Sequence, residues 1–293
     1  MAGRSSNPRV ALLCFNHARQ RFSLADISPP HCEKRKTLPS LSVTIITKNE
    51  SHNIEACLRS VAFADEVVVL DSGSTDETVD LARSMGANVS VSSDWQGFGI
   101  QKNRALALAG SEWVLSLDAD ERVSPELQAE IRAVLAAPVF EVYSFPRLSS
   151  YCGQFMHHSG WHPDRVTRLF RRSSAQFSND LVHEKLLTRC KVGELGSVLL
   201  HESFLDFEAV LDKVNRYSSA GAQSLFDKGR NSSPGKALGH GVWAFFRTYF
   251  LRLGFLDGRM GFALAVSNAE GTYYRHLKLW LLRQTAGKVP PVQ

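Results

Sequence analysis

Two aspartates, Asp118 and Asp120, follow the apolar stretch WVLSL and are separated by one alanine. Two neighbouring carboxylates repel each other unless a cation lies between them. Their hard oxygens suit Mg²⁺ or Mn²⁺, which prefer carboxylates together with ligand phosphates. A divalent ion there would neutralise a diphosphate and stabilise it as a leaving group. A lone Asp-x-Asp motif leaves open a simpler alternative, a strand end with solvated carboxylates.

Two further polar clusters follow apolar runs, TKNE at residues 47–50 and DSGSTD at residues 71–76. In open α/β sheets, ligands bind beyond the carboxyl ends of the strands, so all three clusters are expected to meet at one ligand. The Asp71 side chain could accept a hydrogen bond from a nucleotide base, and Gly73 would let the backbone approach the ligand closely. Together the clusters favour a nucleotide bound through a metal.

Strands alternating with helices must position these clusters. The strands are predicted at LSVTIIT, EVVVLD, NVSVS and WVLSLD. Apolar residues at helical spacing predict a first helix after the first strand. A capping box of Ser74 and Glu77 predicts the start of the second helix. The third helix is predicted at Gly99 to Ala109, and Ser124-Pro125 predicts the start of the fourth. This alternation predicts a parallel, helix-covered α/β sheet. After Pro138, aromatic and arginine-rich segments predict a mixed sheet up to His201, and residues 207–228 and 236–283 are predicted to be helical.

Composition favours an ordinary globular chain of 293 residues, with 44% hydrophobic and 22% charged residues. The net charge of +5 is unevenly placed: residues 1–40 carry +5 and residues 236–288 carry +6, which leaves an acidic middle. Basic ends favour attachment to something anionic, and phospholipid, lipopolysaccharide and nucleic acid all qualify. Five scattered cysteines without a CxxC spacing favour a reduced, cytosolic setting. No apolar stretch reaches the roughly 18 residues of a membrane span.

The segments SVTIITKNESHNIEACLRSV, EVVVLDSGSTDET and SLDADE resemble the donor-binding half of the family 2 inverting glycosyltransferases. The resemblance covers roughly residues 41–135. It implies an α/β GT-A (Rossmann-like) nucleotide-diphospho-sugar transferase fold with a C-terminal helical extension. Three regions are expected: a poorly ordered extension at 1–40, a catalytic domain at 41–204 with nucleotide-sugar (41–135) and acceptor (136–204) halves, and a helical region at 205–293.

The resemblance also implies roles for individual residues. The nucleotide-sugar site is expected to include Thr47, Asn49, Glu50, Asp71, Lys102, Arg104 and Asp118. The first three would lie at the uridine pocket and Asp71 would bind uracil. Asp118 would contact ribose or the metal, and Asp120 would ligate the metal. Lys102, Asn103 and Arg104 resemble the segment that braces the nucleotide site, with an ordinary basic helix start as the alternative.

The segments RLFRR, LVHEKL and GFLDGRMGFALA are similar to a narrower group, the lipopolysaccharide-core β-1,4-glucosyltransferases that use UDP-glucose. This similarity is looser than the N-terminal one. It implies a UDP-sugar donor and an acceptor that is lipopolysaccharide core or a lipid-linked glycan. The transferred hexose would be glucose, and it would be attached to an inner-core heptose. The residues themselves do not distinguish glucose from galactose.

An inverting transfer needs a general base on the acceptor side, and Glu184 is the candidate. His183 beside it is a candidate third metal ligand. Successive residues of an extended strand point to opposite faces, so only one of them enters the site unless a turn intervenes; a surface His-Glu pair is the alternative. Acceptor phosphates could be bound by Arg165, Arg168, Arg171 and Arg172, with a strand-surface set of charges as the alternative. An acceptor lip could be formed by His157, His158 and Trp161, with a purely structural role of the histidines as the alternative. Trp95 could stack on a sugar, with simple packing as the alternative.

The region after Lys236 interleaves large apolar residues with arginines. The apolar residues are Trp243, Phe246, Phe250, Leu251 and Phe255, and the arginines are Arg247, Arg252 and Arg259. This pattern favours a helix in the interface of an anionic membrane, with an ordinary packing helix as the alternative. We therefore expect a cytoplasmic protein in peripheral contact with the cytoplasmic face of the inner membrane.

Other classes of protein fit less well. A haloacid-dehalogenase-like phosphatase also places Asp-x-Asp after a strand with Mg²⁺, but it expects Thr or Val where Arg122 stands. No GxGxxG follows the first strand, which excludes a dinucleotide dehydrogenase. A non-catalytic lipid- or nucleic-acid-binding protein would leave the aspartates without a purpose, and no nucleic-acid module is present, so nucleic acid is not expected as a partner. Within the transferases, the alternative acceptor is a polyprenyl phosphate or another envelope glycan.

Overall fold

The computed structural model describes residues 39–179 and 184–286. The strands are β1 Leu41–Thr47, β2 Glu66–Asp71, β3 Asn88–Val91, β4 Trp113–Asp118, β5 Glu121–Val123, β6 Val142–Tyr151, β7 Gln154–Phe155, β8 Asp164–Arg171, β9 Ala175–Phe177, β10 Leu186–Thr188, β11 Val192–Glu194 and β12 Leu199–His201. The helices are α1 Ile54–Ser60, α2 Thr78–Ser84, α3 Phe98–Leu108, α4 Pro125–Ala136, α5 Phe207–Asp227, α6 Pro234–Phe246 and α7 Gly258–Ala286. Residues 1–38, most of the predicted N-terminal extension, lie outside the described part.

A parallel sheet with a mixed second half is confirmed. Within the described residues, ten strands form one sheet in the order β3-β2-β1-β4-β8-β6-β12-β5, with β7 and β11 also paired to β6. The strands β3, β2, β1 and β4 are parallel. Strand β8 runs antiparallel to both β4 and β6. The carboxyl ends of β1, β2 and β4 therefore lie at one edge of the sheet.

The core lies between this sheet and its helices. All seven residues of β1 are buried, as expected for a central strand covered on both faces. Helix α1 buries Ile54, Cys57 and Leu58, which confirms the helical spacing of the sequence. Helix α4 begins as predicted, because the Ser124 side chain accepts the Leu127 N–H and Pro125 takes the first position.

The predicted capping box at the start of α2 is wrong. The helix begins at Thr78. The residue at its N-cap position is Glu77, whose side chain makes no capping hydrogen bond. The Ser74 hydroxyl bonds to the Asp71 carboxylate instead. The turn before α2 is held by Asp76, whose carboxylate accepts the N–H of Thr78 at 3.1 Å and the N–H of Ser51 at 3.1 Å.

The C-terminal helices were predicted in the right place, but the stretch from 236 to 283 is not continuous. A π-helical turn, Arg247–Leu251, and a 3₁₀ turn, Gly254–Asp257, separate α6 from α7. Leu253 between them has φ 56°, a left-handed conformation that ends a helix. The chain reverses there, so that α6 packs along α7. Within residues 39–179 and 184–286, no helix is both long enough and apolar enough to cross a membrane.

Candidate active site

The three polar clusters meet at the carboxyl edge of the parallel strands, as predicted. Thr47 at the end of β1 lies opposite Asp71 of β2. On the other side of β1, Ile46 lies opposite Asp118 of β4. The register therefore brings the ends of all three strands to one place.

Side-chain hydrogen bonds join the loop after β1 to the loop after β2. The Asn49 N–H donates to the Ser74 hydroxyl at 2.8 Å, and the Asn49 side-chain oxygen accepts the Thr75 N–H at 2.8 Å. Asn49 has φ 56°, a left-handed conformation that Asn tolerates better than most residues. The Glu50 N–H donates to the Thr78 hydroxyl at 2.8 Å. These bonds hold the two loops as one wall.

Asp71 lies beneath this wall and is fully buried. Its Oδ1 accepts the N–H groups of Gly73 and Ser74 at 2.9 Å and 2.8 Å. Gly73 has φ 85°, which a residue with a Cβ adopts only with strain. Asp71 thus shapes the loop after β2; its predicted contact with uracil stays a prediction.

Asp118 is neutralised by two buried cations. Its Oδ2 accepts from Arg168 at 2.7 Å, and its Oδ1 lies 3.0 Å from Lys102 Nζ. Burial alone would raise the pKa of Asp118, but Arg168 and Lys102 outweigh it and hold the pKa well below its ordinary value. Asp118, whose side chain is 28% exposed, is therefore a carboxylate at neutral pH.

Glu121, three residues after Asp118, completes a buried network beneath the site. It is fully buried, and it accepts the Asp118 N–H at 3.0 Å. Its other oxygen lies 3.3 Å from Arg168 and 3.2 Å from Arg147. Arg147 also binds Asp164 at 2.7 Å. The strands β4, β6 and β8 are thus tied together at the level of the site by alternating charges.

Lys102 connects this network to Glu184, the candidate base. Its Nζ lies 2.6 Å from Glu184 Oε1, and Lys102 is only 2% exposed. One ammonium group therefore bridges Asp118 and Glu184, which are distant in sequence. Its neighbour Asn103 exchanges two hydrogen bonds of 2.8 Å with the backbone of Phe177, which attaches α3 to the strand leading to the Glu184 segment.

Asp120 faces His201, a residue that the sequence analysis did not select. His201 Nε2 lies 3.2 Å from Asp120 Oδ2. Its Nδ1 lies 2.9 Å from the hydroxyls of both Ser149 and Ser203. Hydroxyl partners on Nδ1 orient the ring and direct Nε2 at Asp120. The sequence feature that could have indicated His201 is VLLHE, another apolar run that ends in polar residues.

Two clefts open on this edge of the sheet and share Phe98 and Asp118. The first cleft, about 700 Å³, is lined by residues that include Thr47, Asn49, Glu50, Asp118, Asp120, His201, Lys213 and Arg216. We name it the donor cleft and the second one the acceptor cleft, after the roles predicted from the sequence for Thr47 and Glu184. The acceptor cleft, about 500 Å³, is lined by residues that include Lys102, Asp118, Arg147, Arg165, Arg168 and Glu184. Of the predicted nucleotide residues, Thr47, Asn49 and Glu50 line the donor cleft, whereas Lys102 lies beside the predicted base Glu184 in the acceptor cleft.

Two charged groups of the donor cleft have shifted pKa values. Burial raises the pKa of Glu50, a hydrogen bond from Asn53 opposes this, and the charge of Asp120 adds to the rise. Burial lowers the pKa of Lys213 although Asp120 acts in the opposite direction. Both shifts reflect a cleft in which charges are partly removed from water.

The residues fit a divalent ion held together with a ligand. In the described part of the chain, no group of three His, Cys, Asp or Glu side chains is placed to hold an ion by itself. Asp118 already faces two cations, so the carboxylate and imidazole left for an ion are Asp120 and His201. Mg²⁺ is usually held by one or two carboxylates plus the phosphates of a substrate, and this pair meets that requirement. His183, the predicted third ligand, lies outside the described residues.

Of two further predicted residues, Arg104 has a structural position and Trp95 lies at the donor cleft. Arg104 donates to the Asp94 carbonyl at 2.6 Å and pairs with the Asp94 carboxylate at 3.0 Å; it braces the loop that carries Trp95 and lines neither cleft. Trp95 is 43% exposed and lines the donor cleft.

The arginines predicted to bind acceptor phosphates mostly have other partners. Arg168 belongs to the buried network, Arg171 pairs with Glu112, and Arg172 donates to the Ala109 carbonyl at 3.0 Å. Arg165 donates to the carbonyls of Ser144 and Leu195. The set does not form one phosphate-binding cluster.

The chain matches known proteins along most of its length. The model of Glycosyl transferase family 2 matches residues 42–190. A relative from Rickettsia bellii (strain RML369-C) named "Uncharacterized glycosyltransferase" is 33% identical over 86% of this chain and 88% of its own length. The lipopolysaccharide core biosynthesis glycosyltransferase LpsC of Rhizobium meliloti (strain 1021) is 29% identical over 80% of this chain and 93% of its own.

A solved structure is also similar, glucosyl-3-phosphoglycerate synthase from Mycobacterium tuberculosis with Mn²⁺, UDP and glucosyl-3-phosphoglycerate. It is 26% identical over 38% of this chain and 44% of that chain, with a TM-score of 0.33.

The fold and the sequence matches define a glycosyltransferase of the GT-A type with C-terminal helices. The chain belongs to glycosyl transferase family 2. The phosphatase alternative is thereby excluded.

Proposed function

We propose that this transferase moves glucose from UDP-glucose, with inversion, onto an inner-core heptose of lipopolysaccharide. The observation that carries the proposal is the division of the site by Asp118. On one side Asp120 and His201 face the donor cleft, and on the other side Glu184 faces the acceptor cleft. Inversion needs the base and the leaving group on opposite sides of the anomeric carbon.

On the donor side, Thr47, Asn49 and Glu50 would surround the uridine. Lys213 and Arg216 line the same cleft and would face the diphosphate. Asp120 and His201 would hold Mg²⁺ or Mn²⁺, which when bound would offset the charge of the departing UDP. The roles of Asp71 and Asp118 in binding uracil and ribose belong to the same proposal.

On the acceptor side, Glu184 would take the proton of the attacking hydroxyl. The new bond forms between the acceptor oxygen and the anomeric carbon, the bond from that carbon to the UDP oxygen breaks, and UDP leaves with the electron pair. Lys102 holds the Glu184 carboxylate at 2.6 Å, which fixes the base in place. The similarity to LpsC supports lipopolysaccharide core as the acceptor.

We also propose peripheral contact with the cytoplasmic face of the inner membrane. The five apolar residues singled out in the sequence, Trp243, Phe246, Phe250, Leu251 and Phe255, are each at least 43% exposed. We call them the apolar surface. Their aromatic character and the adjacent arginines suit the interface of an anionic bilayer.

Replacing Phe250 and Leu251 together by Glu should reduce co-sedimentation with phosphatidylglycerol vesicles. The control Val139→Glu, on a distant loop where Val139 is 82% exposed, should not. Equal co-sedimentation of both proteins would contradict membrane contact through this surface.

The transfer is tested by UDP release from a panel of UDP-sugars with Mg²⁺ or Mn²⁺. Each donor is offered alone, with a heptose-containing core acceptor, and with a polyprenyl phosphate, the alternative acceptor. We expect acceptor-dependent release from UDP-glucose with the core acceptor, lost in Asp120→Asn and kept in Asp80→Asn, a control on the exposed face of α2. Release that depends on another donor, or only on the polyprenyl phosphate, would overturn the assignment of glucose or of the acceptor.

A further inference from the structure

A third pocket of about 450 Å³ lies among the C-terminal helices. Four of its lining residues are cationic, Lys213, Arg247, Arg252 and Arg275, and none of the described residues that line it is acidic. We call it the basic pocket. It shares Lys213 with the donor cleft and Tyr217 with the acceptor cleft, so it adjoins the site of transfer.

These four cations make no direct contact with a carboxylate of the described residues, although the charge of Asp120 acts on Lys213. Among residues 39–179 and 184–286, none of them forms an ion pair with a carboxylate. The arginines near the sheet differ, since Arg104, Arg147, Arg168 and Arg171 are all paired. A concave surface with four unpaired cations has a strongly positive potential and attracts an anion.

Two glycines leave room for two of the arginines. A Cβ at Gly160 would collide with the guanidinium of Arg252, and a Cβ at Gly221 would lie 2.9 Å from Arg275 Cδ. The backbone also fixes Arg252, because its carbonyl accepts the Ser159 N–H at 2.8 Å. Asp257 in turn binds the N–H groups of His157 and His158, at 3.0 Å each, through its two carboxylate oxygens. The loop and the arginine are therefore held in one arrangement.

The other side of the basic pocket is aromatic. It includes Tyr151, Trp161, Phe204 and Tyr217. Trp161 stacks on Phe204 with ring centroids 6.0 Å apart, and Lys213 Nζ lies 4.4 Å from the Phe204 centroid. Aromatic faces beside cations suit a sugar ring that carries an anionic substituent.

We propose that the basic pocket binds a phosphate group carried by the acceptor, so that the enzyme selects a phosphorylated glycan. That the phosphate belongs to the acceptor rests on the proposed transfer reaction. Guanidinium groups bind phosphate through paired, charge-assisted hydrogen bonds. The sugar that bears the phosphate would lie against the aromatic side, and the attacking hydroxyl would reach the acceptor cleft past Tyr217.

The kinetic test uses the double variant Arg252→Ala/Arg275→Ala, with Arg230→Ala as the matched control outside the pocket. The acceptor is a lipid-free, heptose-containing core oligosaccharide, used with its phosphates and after their removal with hydrofluoric acid. For the phosphorylated acceptor we expect KM to rise about tenfold or more, as the loss of hydrogen bonds to a charged group implies. KM for the UDP-sugar and KM for the dephosphorylated acceptor should stay unchanged. The double variant Arg252→Lys/Arg275→Lys should be intermediate, because lysine keeps the charge but loses the paired bonds.

A phospholipid headgroup also carries a phosphate that the basic pocket could bind. A second experiment, on vesicles, distinguishes a headgroup phosphate from an acceptor phosphate. Loss of binding to phosphatidylglycerol vesicles in the Ala variant, with unchanged KM for the lipid-free phosphorylated acceptor, would overturn the proposal in favour of a headgroup site. Equal KM values for both forms of the acceptor in wild type would overturn it as well.

A third arm does not depend on transfer. Inorganic phosphate is titrated into metal-free protein and its ³¹P line width is recorded. Wild type and Asp120→Asn should broaden the line equally. The Arg252→Ala/Arg275→Ala variant should broaden it clearly less, since two of the four cations of the basic pocket are then missing while the cations of the donor cleft still attract some phosphate. That pattern in a protein that transfers no sugar would keep the phosphate site and refute the proposed function, whereas active transfer without any phosphate effect would refute only the phosphate site.

Discussion

Removing the buried guanidinium of Arg168 should destabilise the protein strongly. Arg168 is 7% exposed and binds Asp118 at 2.7 Å and Glu121 at 3.3 Å. In Arg168→Met, the fully buried Glu121 and the partly buried Asp118 keep one cation fewer. Breaking a buried ion pair from one side costs roughly 3–5 kcal/mol. Lys102 and Arg147 remain as partners, so we expect the lower end, about 3 kcal/mol.

The loss should depend on pH, with a sign set by Asp118. In wild type the folded-state pKa of Asp118 lies below its unfolded value, so its contribution is present above about pH 3.9 and is lost as the pH falls through the folded pKa. In the variant, burial is opposed by Lys102 alone and the folded-state pKa rises. The folded variant then binds a proton at a higher pH than folded wild type does, so the difference in unfolding free energy between the two proteins should shrink as the pH falls through the variant's folded-state pKa.

Urea unfolding followed by tryptophan fluorescence measures this difference. With an m-value of about 3 kcal/mol per M, a loss of 3 kcal/mol lowers the midpoint by about 1 M. The control Arg172→Met removes an exposed arginine that binds only a carbonyl, and it should change the unfolding free energy by less than about 1 kcal/mol. A loss below about 1 kcal/mol in Arg168→Met would refute the account of the buried network.

Three further outcomes are expected. Glu184→Gln should lose turnover while calorimetry finds UDP-sugar binding unchanged, and normal turnover would require another base. Gly73→Ala places a Cβ at φ 85°; it should lower the unfolding free energy by about 1–2 kcal/mol and raise the donor KM, and an unchanged melting temperature would contradict this strain. Although burial opposes it, hydrogen bonds from Thr78 and Ser51 lower the pKa of Asp76 to about 2. Asp76 is exposed, so solvent screening reduces this effect, and Asp76→Ala should cost about 1 kcal/mol or less at pH 7. That difference, measured by urea unfolding, should disappear as the pH falls from about 4 toward 2; a constant difference would show that ionisation does not matter.

The parallel half of the fold could be predicted because its signals are local. Each of β1, β2 and β4 is an apolar run that ends in polar residues, and the carboxyl ends of parallel strands share one edge. That argument placed Thr47, Asp71 and Asp118 together before their register was known. The capping box failed because Ser74 has a better partner in Asp71, and a spacing pattern does not compare competing acceptors.

The rest of the site depends on contacts between distant residues. Lys102 meets Glu184 across 82 positions, and Arg168 meets Asp118 across 50. His201 reaches Asp120 because β12 pairs antiparallel with β5. Pairing between short strands is set by tertiary packing, so sequence spacing alone did not select His201 or assign Arg168 to the buried network.

The most direct test is to characterise the product of a single reaction. Wild-type protein is incubated with UDP-glucose, Mg²⁺ or Mn²⁺ and the phosphorylated heptose-containing core oligosaccharide, and the product is analysed by mass spectrometry and proton NMR. The account predicts the addition of one hexose on a heptose, linked in the β configuration, since transfer from the α-linked donor proceeds with inversion. An α-linked product would contradict the placing of donor and base on opposite sides of Asp118, and an unmodified acceptor beside UDP-glucose that stays intact would contradict the proposed reaction itself.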